Sequence, residues 1–365
     1  MPKVIVGMSG GVDSSVAAHL LTQQGFDVEG VSFLIWEARC RTHATACCAE
    51  EAAESAGRTA SALGISLRCV DVRIPFMERV IEPFAEAYAR ALTPNPCILC
   101  NRYVKFPYLL READRSGAEF IATGHYARIE PQAGSSGVFL LKRGRDQKKD
   151  QSYVLAVLPQ KTLARLLLPL GGMTKDETRE LARSLHLPAA ERPESQEICF
   201  VEDRDYAGFI SRLNPGAGAL GPIRDSAGNL LGTHTGLFRY TVGQRKGIGV
   251  SRPDPLFVIA LDHAANTLYV GTREEAMVKQ FSAGDMNWLL PAPSALFRAE
   301  VKVRSTMEQR PALVAVAGDG VNILFDSPQW APSPGQTAVL YDGDTVIAAG
   351  TITAIARPEA ATRPA

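Results

Sequence analysis

Neither sign of charge is in excess in this chain: 39 Lys and Arg stand against 39 Asp and Glu. A formal net charge of +0 excludes bulk attraction to nucleic acid and leaves any such recognition to a local basic face. Also missing is an apolar run long enough to span a membrane. The opening MPKVIVGMSGG lacks the pattern of a secretory signal and reads straight into a strand. These absences point to a cytoplasmic protein. Cysteine is sparse at seven residues: Cys40, Cys47, Cys48, Cys69, Cys97, Cys100 and Cys199. In a reducing compartment they are not expected to form structural disulfides, so each is a small buried hydrophobe or a carrier of chemistry. What is present, 46% hydrophobic and 21% charged residues over 365 positions, reads as an ordinary globular chain of two or three domains without internal repeats.

Val4-Ile5-Val6 reads as a buried parallel strand, and Ser14 to Gln24 as a helix with Gly25 just past its end. Strands at Val28–Leu34, Leu67–Val72 and Phe120–Ala122 alternate with helices over Ala46–Leu63, Met77–Ala91 and Tyr103–Ser116. This alternation predicts an α/β domain: a parallel, Rossmann-like sheet with helices on both faces. The stretch PQAGSSG at 131–137 reads as a loop tip. After about Phe200 the texture changes to short strands and glycine-rich turns, and from about 280 to strands closing a small β-barrel or sandwich. The expected division is 1–203, 204–275 and 276–357, with a disordered tail at 358–365.

Gly7-Met8-Ser9-Gly10-Gly11-Val12-Asp13-Ser14-Ser15 sits at the first strand–helix junction. Paired glycines let the backbone approach an anion, the serines add hydroxyl donors, and the helix offers its positive end. The loop contains neither the lysine of G-x-x-x-x-G-K-[ST] nor the spacing of G-x-G-x-x-G. Asp13 has two readings, a ligand to magnesium on the phosphates or a helix cap. SGGVDS resembles the loop of the N-type ATP pyrophosphatases, which adenylate a carbonyl oxygen and release pyrophosphate. The loop alone does not choose among them.

TPNPCILCN at 93–101 holds a C-x-x-C in a loop opened by Pro94 and Pro96, a spacing shared by metal, redox and nucleophilic sites. It is followed in order by ATGHYAR at 122–128, KDQSYVL at 149–155, SQEICF at 195–200 and YTVGQRKGIG at 240–249. Together these five motifs resemble the tRNA-specific 2-thiouridylases of the MnmA/TrmU family, from about residue 3 to about 355. The resemblance implies a catalytic domain of the adenine nucleotide alpha hydrolase type, a small central tRNA-contacting domain and a C-terminal β-barrel.

It also implies ATP-dependent 2-thiolation of the wobble uridine, position 34, of tRNAs for Lys, Glu and Gln. In that chemistry ATP adenylates the uracil C2 oxygen, and sulfur from a Cys199 persulfide displaces AMP. Cys100 closes a disulfide with Cys199. Cysteines in these roles act as thiolates. The persulfide would come from a sulfur-donor relay protein or a cysteine desulfurase, and a reductant would reopen the disulfide. Cys97 departs from the aspartate common in the family. It leaves open an iron–sulfur alternative, a [4Fe–4S] cluster on Cys97, Cys100 and Cys199.

By the same resemblance, ATP lies on Gly7, Met8, Ser9, Gly10, Gly11, Val12, Asp13 and Ser14, with Leu34 near the adenine and Gly124 beside the nucleotide. Magnesium accompanies it. The tRNA contacts are Asn95, Pro96, Cys97, His125, Lys149, Asp150, Gln151, Arg304, Ser305 and Gln336, with Gln244, Arg245 and Lys246 offering donors. Arg304-Ser305 departs from an expected Arg-Tyr pair. The basic loop Lys142, Arg143, Arg145, Lys148 and Lys149 reads as a phosphate contact or as a solvated charge run. His125 also has a purely structural reading. Cys69 reads as core, and Cys40, Cys47 and Cys48 as packing or surface loop. Two rivals remain: an ATP pyrophosphatase acting on a small molecule, and a non-catalytic RNA-binding or sulfur-carrier protein.

Overall fold

In the computed structural model, which describes residues 1–36, 49–191, 198–201, 205–214 and 218–356, the first strand forms where the apolar run predicts it. β1 (Lys3–Gly7) buries Val4, Ile5 and Val6 completely, as a strand covered on both faces must. It is followed by α1 (Val12–Gln23), β2 (Asp27–Leu34), α2 (Ala49–Leu63) and β3 (Ser66–Asp71). Later come β4 (Phe120–Ala122), the hairpin β5 (Ala127–Pro131) and β6 (Phe139–Arg143), and β7 (Leu166–Leu167). The sheet runs β3-β2-β1-β4-β7 and is parallel throughout. It grows to one side of β1 and then to the other. Such a reversal leaves a crevice between the carboxyl ends of β1 and β4, where ligands bind in this architecture.

α1 is buried on most of its surface. Ala18 and Leu21 join the sheet and Ala56 and Ala60 of α2. Val12, Val16 and Ala17 meet Tyr126, Leu170 and Ala182, the last on the helix Lys175–Ser184. The described residues belong to two compact units. One is Met1–Ile81, Pro96–Arg204 and Asp344–Val346; the other is Glu82–Asn95, Asp205–Gly343 and Ile347–Ala365. The second holds a four-stranded sheet of β8 (Gly221–Asp225), β9 (Leu230–His234), β10 (Phe257–Asp262) and β11 (Thr267–Gly271). It also holds the strands β12 (Met277–Trp288), β13 (Leu296–Lys302), β14 (Arg310–Ala317), β15 (Gly320–Trp330), β16 (Thr337–Asp342) and, from Ile347 on, β17 (Thr345–Ile355). Pairing of β12 with both β15 and β17 closes these six into a barrel, so the choice between barrel and sandwich is decided. Its interior is apolar, from Phe281 and Phe325 to Leu340 and Ile352.

Two local expectations need correction. The C-x-x-C stretch is not a loop: Pro96 opens the helix Pro96–Cys100, because its fixed φ suits the first helical position. Cys69 does lie in a strand, but β3 is the sheet's edge and Cys69 is exposed rather than core. Cys40, Cys47, Cys48, the start of the Ala46–Leu63 helix, the tail at 358–365 and the Arg192-Pro193 segment, which the sequence suggests as a mobile arm before Cys199, lie outside the described residues.

The cysteine helix runs on through a wider π turn, Asn101–Lys105, into the helix Phe106–Ser116. Such turns are rare and gather at functional sites. Asn101, only 2% exposed, anchors this turn by donating from Nδ2 to the Val154 carbonyl at 2.9 Å. Asn101→Ala would leave that carbonyl without its bond, at a cost of about 1–3 kcal/mol. A urea melt should show the loss in midpoint with an unchanged slope; an unchanged midpoint would mean that the bond does not hold the turn.

Candidate functional site

The loop after β1 is preorganised by its own serines. Ser9 N donates to Ser14 Oγ at 3.2 Å, and Ser14 Oγ and Ser15 Oγ donate to the Gly11 carbonyl at 3.1 and 2.9 Å. From α2, Ser55 Oγ donates to the Gly10 carbonyl at 2.9 Å. Gly10 takes φ 72, a left-handed value that favours glycine. Gly11 precedes α1 with no side chain capping it, so the helix N-terminus faces the loop. Across the crevice, Gly124 follows β4. A Cβ there would fall 2.6 Å from the Asp13 carbonyl carbon and 2.7 Å from Ser14 N. Only glycine lets the turn after β4 approach the start of α1 this closely.

Asp13 is not the cap of α1. It lies in the first turn, and its Oδ1 accepts from Tyr126 Oη at 2.7 Å and from Lys175 Nζ at 2.6 Å. That arrangement does not fit a magnesium ion held by Asp13, because an ammonium already faces the carboxylate. Magnesium binds in many nucleotide sites chiefly through substrate phosphates.

The three thiols form a second centre in the same unit. Cys97 and Cys100 lie one turn apart on their helix. Cys199 lies in the turn 198–201, anchored by its neighbour Phe200, whose buried ring meets Phe76 edge-on at 5.7 Å. An edge-on aromatic pair is worth about 0.5–1.5 kcal/mol beyond its burial. Crowding by the surrounding protein, with a smaller push from the Cys100 and Cys97 charges, takes the Cys199 thiol up to about 12. Burial likewise raises Cys97 and Cys100. Lys105 pulls all three down, so one ammonium serves the whole thiol group. Cys97 and Cys199 are nonetheless open to solvent and Cys100 half-open, so water screens part of the rise. The site is a wet depression rather than a sealed core.

Among the described residues, no three His, Cys, Asp or Glu side chains converge closely enough to hold a metal ion. The cysteines as placed therefore do not fit a three-thiolate iron–sulfur ligand set. Burial, and then the Lys105 charge, hold His125 well below its usual value, so it is neutral at pH 7. It shares a 2.7 Å hydrogen bond with Thr123 Oγ1 and lies against the Phe106 ring.

Comparison with known proteins matches these elements. Residues 2–203 match the family model described as the tRNA methyl transferase HUP domain. Residues 209–272 match the tRNA methyl transferase PRC-barrel domain, and 278–352 the aminomethyltransferase beta-barrel domain. A tRNA-specific 2-thiouridylase MnmA of Geobacter metallireducens is 44% identical over 96% of this chain and 97% of its own. Relatives of the same name from Syntrophotalea carbinolica and Heliobacterium modesticaldum are 43% and 45% identical, covering 96% of this chain and 98% and 92% of theirs. The chain belongs to the MnmA family.

Within that family frame, the described structure brings together most of the expected nucleotide residues. Met8 N donates to the Val31 carbonyl at 2.8 Å, and half-buried Leu34 ends β2 three residues further along. The KDQ motif is tightly braced. Asp150 accepts from Gly144 N, Ser152 N, Ser152 Oγ and Arg143 Nε, and Gln151 pairs with the Tyr126 backbone through both its N–H and its Oε1. In the basic loop, Lys142 is paired with Glu130 and Asp344, and Arg145 with Glu177, while Lys148 is exposed. Asn95 is half-buried and Pro96 buried.

In the second unit, Arg304 donates to the Val242 and Ala331 carbonyls at 2.9 and 2.7 Å and so ties the PRC-type sheet's turn to the barrel. Ser305 is exposed. Gln336 is half-buried, and its Oε1 has no protein partner among the described residues. Gln244 braces its own turn by accepting from Thr241 N, while Arg245 and Lys246 are exposed.

Sequence reasoning missed three residues: Lys105 at the thiols, and Tyr126 and Lys175 on Asp13. Tyr126 lay inside the quoted ATGHYAR. Lys175 was signalled by Thr174-Lys175-Asp176-Glu177, whose Thr174 and Glu177 form a capping box.

Two expectations can be measured. Gly124→Ala overpacks the crevice at a cost of about 1–3 kcal/mol. It should lower the melting temperature and weaken nucleotide binding; an unchanged melt in both respects would refute the close approach. Because the folded chain holds the Cys199 proton more tightly than an ordinary thiol at 9.0, that contribution to stability is present below pH 9 and lost as pH rises toward about 12. Iodoacetamide labelling of Cys199, followed by peptide mass spectrometry, should therefore keep accelerating above pH 9. A plateau below pH 8 would show a thiol that is already acidic.

Proposed function

We propose that this chain is a tRNA-uridine 2-sulfurtransferase, which uses ATP to convert the wobble uridine of tRNA to 2-thiouridine. One observation carries the reading: Cys100, Cys199 and Lys105 converge in the unit that holds an intact SGGVDS loop, on a chain of the MnmA family. ATP, brought with its magnesium, seats its phosphates on the loop from Gly7 to Ser14, with Leu34 and Gly124 on either side. The uracil C2 oxygen attacks the α-phosphorus, and pyrophosphate leaves. The terminal sulfur of a Cys199 persulfide then attacks C2 and expels AMP. Cys100 thiolate attacks Cys199 Sγ, the S–S bond breaks, and C2 keeps the sulfur. A Cys100–Cys199 disulfide remains, for an external reductant to reopen. Lys105 stabilises the thiolate at each stage.

In this reading the persulfide comes from a relay protein or a cysteine desulfurase. Asn95, Pro96, Cys97, His125 and Lys149 contact the tRNA, supported by the braced Asp150 and Gln151. Arg304, Ser305 and Gln336 do so from the second unit. A wobble base is already largely unstacked, so presenting it costs little. A neutral His125 suits hydrogen bonding to a base rather than to phosphate. The acceptors are tRNAs for Lys, Glu and Gln, and the setting is the cytoplasm. Among the described residues no helix is long and apolar enough to cross a membrane.

The test uses purified chain with ATP, magnesium, unmodified tRNA and a cysteine desulfurase with cysteine as the persulfide source, scoring 2-thiouridine by mass spectrometry and pyrophosphate in parallel. Wild type should yield both. Cys199→Ser should abolish thiouridine and keep pyrophosphate release. Thiouridine from Cys199→Ser would end the persulfide reading. Pyrophosphate release that ignores tRNA would favour a small-molecule substrate.

A further inference from the structure

The phosphate loop poses an electrostatic problem. It lacks a lysine, yet it carries Asp13 in the first turn of the very helix whose N-terminus faces the anion seat. A carboxylate there repels the most highly charged part of the nucleotide. The fold answers with a cation from elsewhere in the chain. Lys175 is the first residue of the helix Lys175–Ser184, whose start is fixed by the Thr174–Glu177 capping box and by Lys175 N donating to Asp146 Oδ2 at 3.0 Å. Its side chain runs to Asp13 Oδ1, with Nζ 2.6 Å away and 5.7 Å from the Tyr126 ring. The Lys175 side chain is 9% exposed, whereas that of Asp13 is 31% exposed. The ammonium is therefore delivered from the protein side, and the carboxylate stands between it and the open seat.

We propose that Lys175 is the phosphate-binding cation of this site, held by Asp13 and Tyr126 and passed to the β- and γ-phosphates of ATP as the nucleotide enters. This deepens the proposed function and rests on its ATP step. A fixed staple between α1 and the helix Lys175–Ser184 would not need a charge. That packing is already made by Val12, Val16, Ala17, Tyr126, Leu170 and Ala182, and a buried ion pair gives little net stability over apolar side chains of similar size. A lysine parked on a carboxylate beside an anion seat has a use that an apolar pair lacks. It keeps the seat neutral and swaps one anionic partner for another without crossing water. With phosphate as the new partner, Asp13 keeps its bond from Tyr126 Oη.

The test is calorimetric titration of the full chain with ATP, with pyrophosphate and with AMP. One charge-assisted contact is worth about 10- to 100-fold in affinity. Lys175→Gln should weaken ATP and pyrophosphate by that factor and leave AMP unchanged, and Lys175→Arg should recover most of the loss. Asp13→Asn, which releases the lysine and removes the repelling charge, should bind pyrophosphate at least as tightly as wild type. Equal losses for ATP, pyrophosphate and AMP in Lys175→Gln would overturn the proposal in favour of a structural staple. So would weaker pyrophosphate binding by Asp13→Asn, which decides the matter should Lys175→Gln fail to fold. Wild-type chain that binds ATP but forms no thiouridine would count against the thiolation reading alone; wild type that binds neither ATP nor pyrophosphate would remove both.

Discussion

Everything at the nucleotide end depends on how closely the turn after β4 approaches the start of α1. Gly124 lies against the backbone of Asp13 and Ser14 with no room for a side chain. That contact sets the depth of the crevice and brings Tyr126, two residues on, within reach of Asp13. The reversal of strand order makes the contact unavoidable: β1 and β4 are neighbours, and their carboxyl ends must share one opening. The loop residues supply donors, but the geometry of the opening is fixed by that one missing Cβ.

The thiol centre is built on a different principle. Its parts come from a helix that contains a π turn and from a short turn held by Phe200. Neither element presents an opposite charge to each thiol. A single ammonium, Lys105, acts on Cys97, Cys100, Cys199 and His125 together. With burial raising every thiol, the free chain keeps them protonated, and protonated thiols are poor nucleophiles and slow to oxidise. Under the proposed sulfur transfer, that reserve would protect the thiols from side reactions that a standing thiolate open to solvent would suffer.

Much of this was legible in the sequence, and for physical reasons. Buried parallel strands read as apolar runs, so β1, β2 and β4 were predicted within a residue or two, and SGGVDS stands at the strand–helix junction expected of it. The barrel strands were visible as short segments between turns, but closure was not, because the pairing of β12 with β17 is a long-range fact. The errors have local causes. Prolines at 94 and 96 suggested a loop, whereas Pro96 is a helix starter. Cys69 looked like core because apolar patterning does not say which strand becomes the edge.

The site was legible in its motifs and opaque in its partners. Asp13 could be seen, but its partners, Tyr126 and Lys175, stand far along the chain and meet it only because α1 packs beside the helix Lys175–Ser184. The same holds for KDQ, whose Asp150 and Gln151 brace a loop as well as belonging to a motif. A motif names the residues that a reaction needs; it does not say which of them touch substrate and which hold the others still. Here the division follows from hydrogen bonds already made. A carboxylate with four donors, as at Asp150, is committed to the protein. A carboxylate shared by one tyrosine and one lysine at the mouth of an anion seat is placed to exchange a partner. The same measure separates Arg304, fastened to two carbonyls, from Ser305 and Lys148, which face solvent.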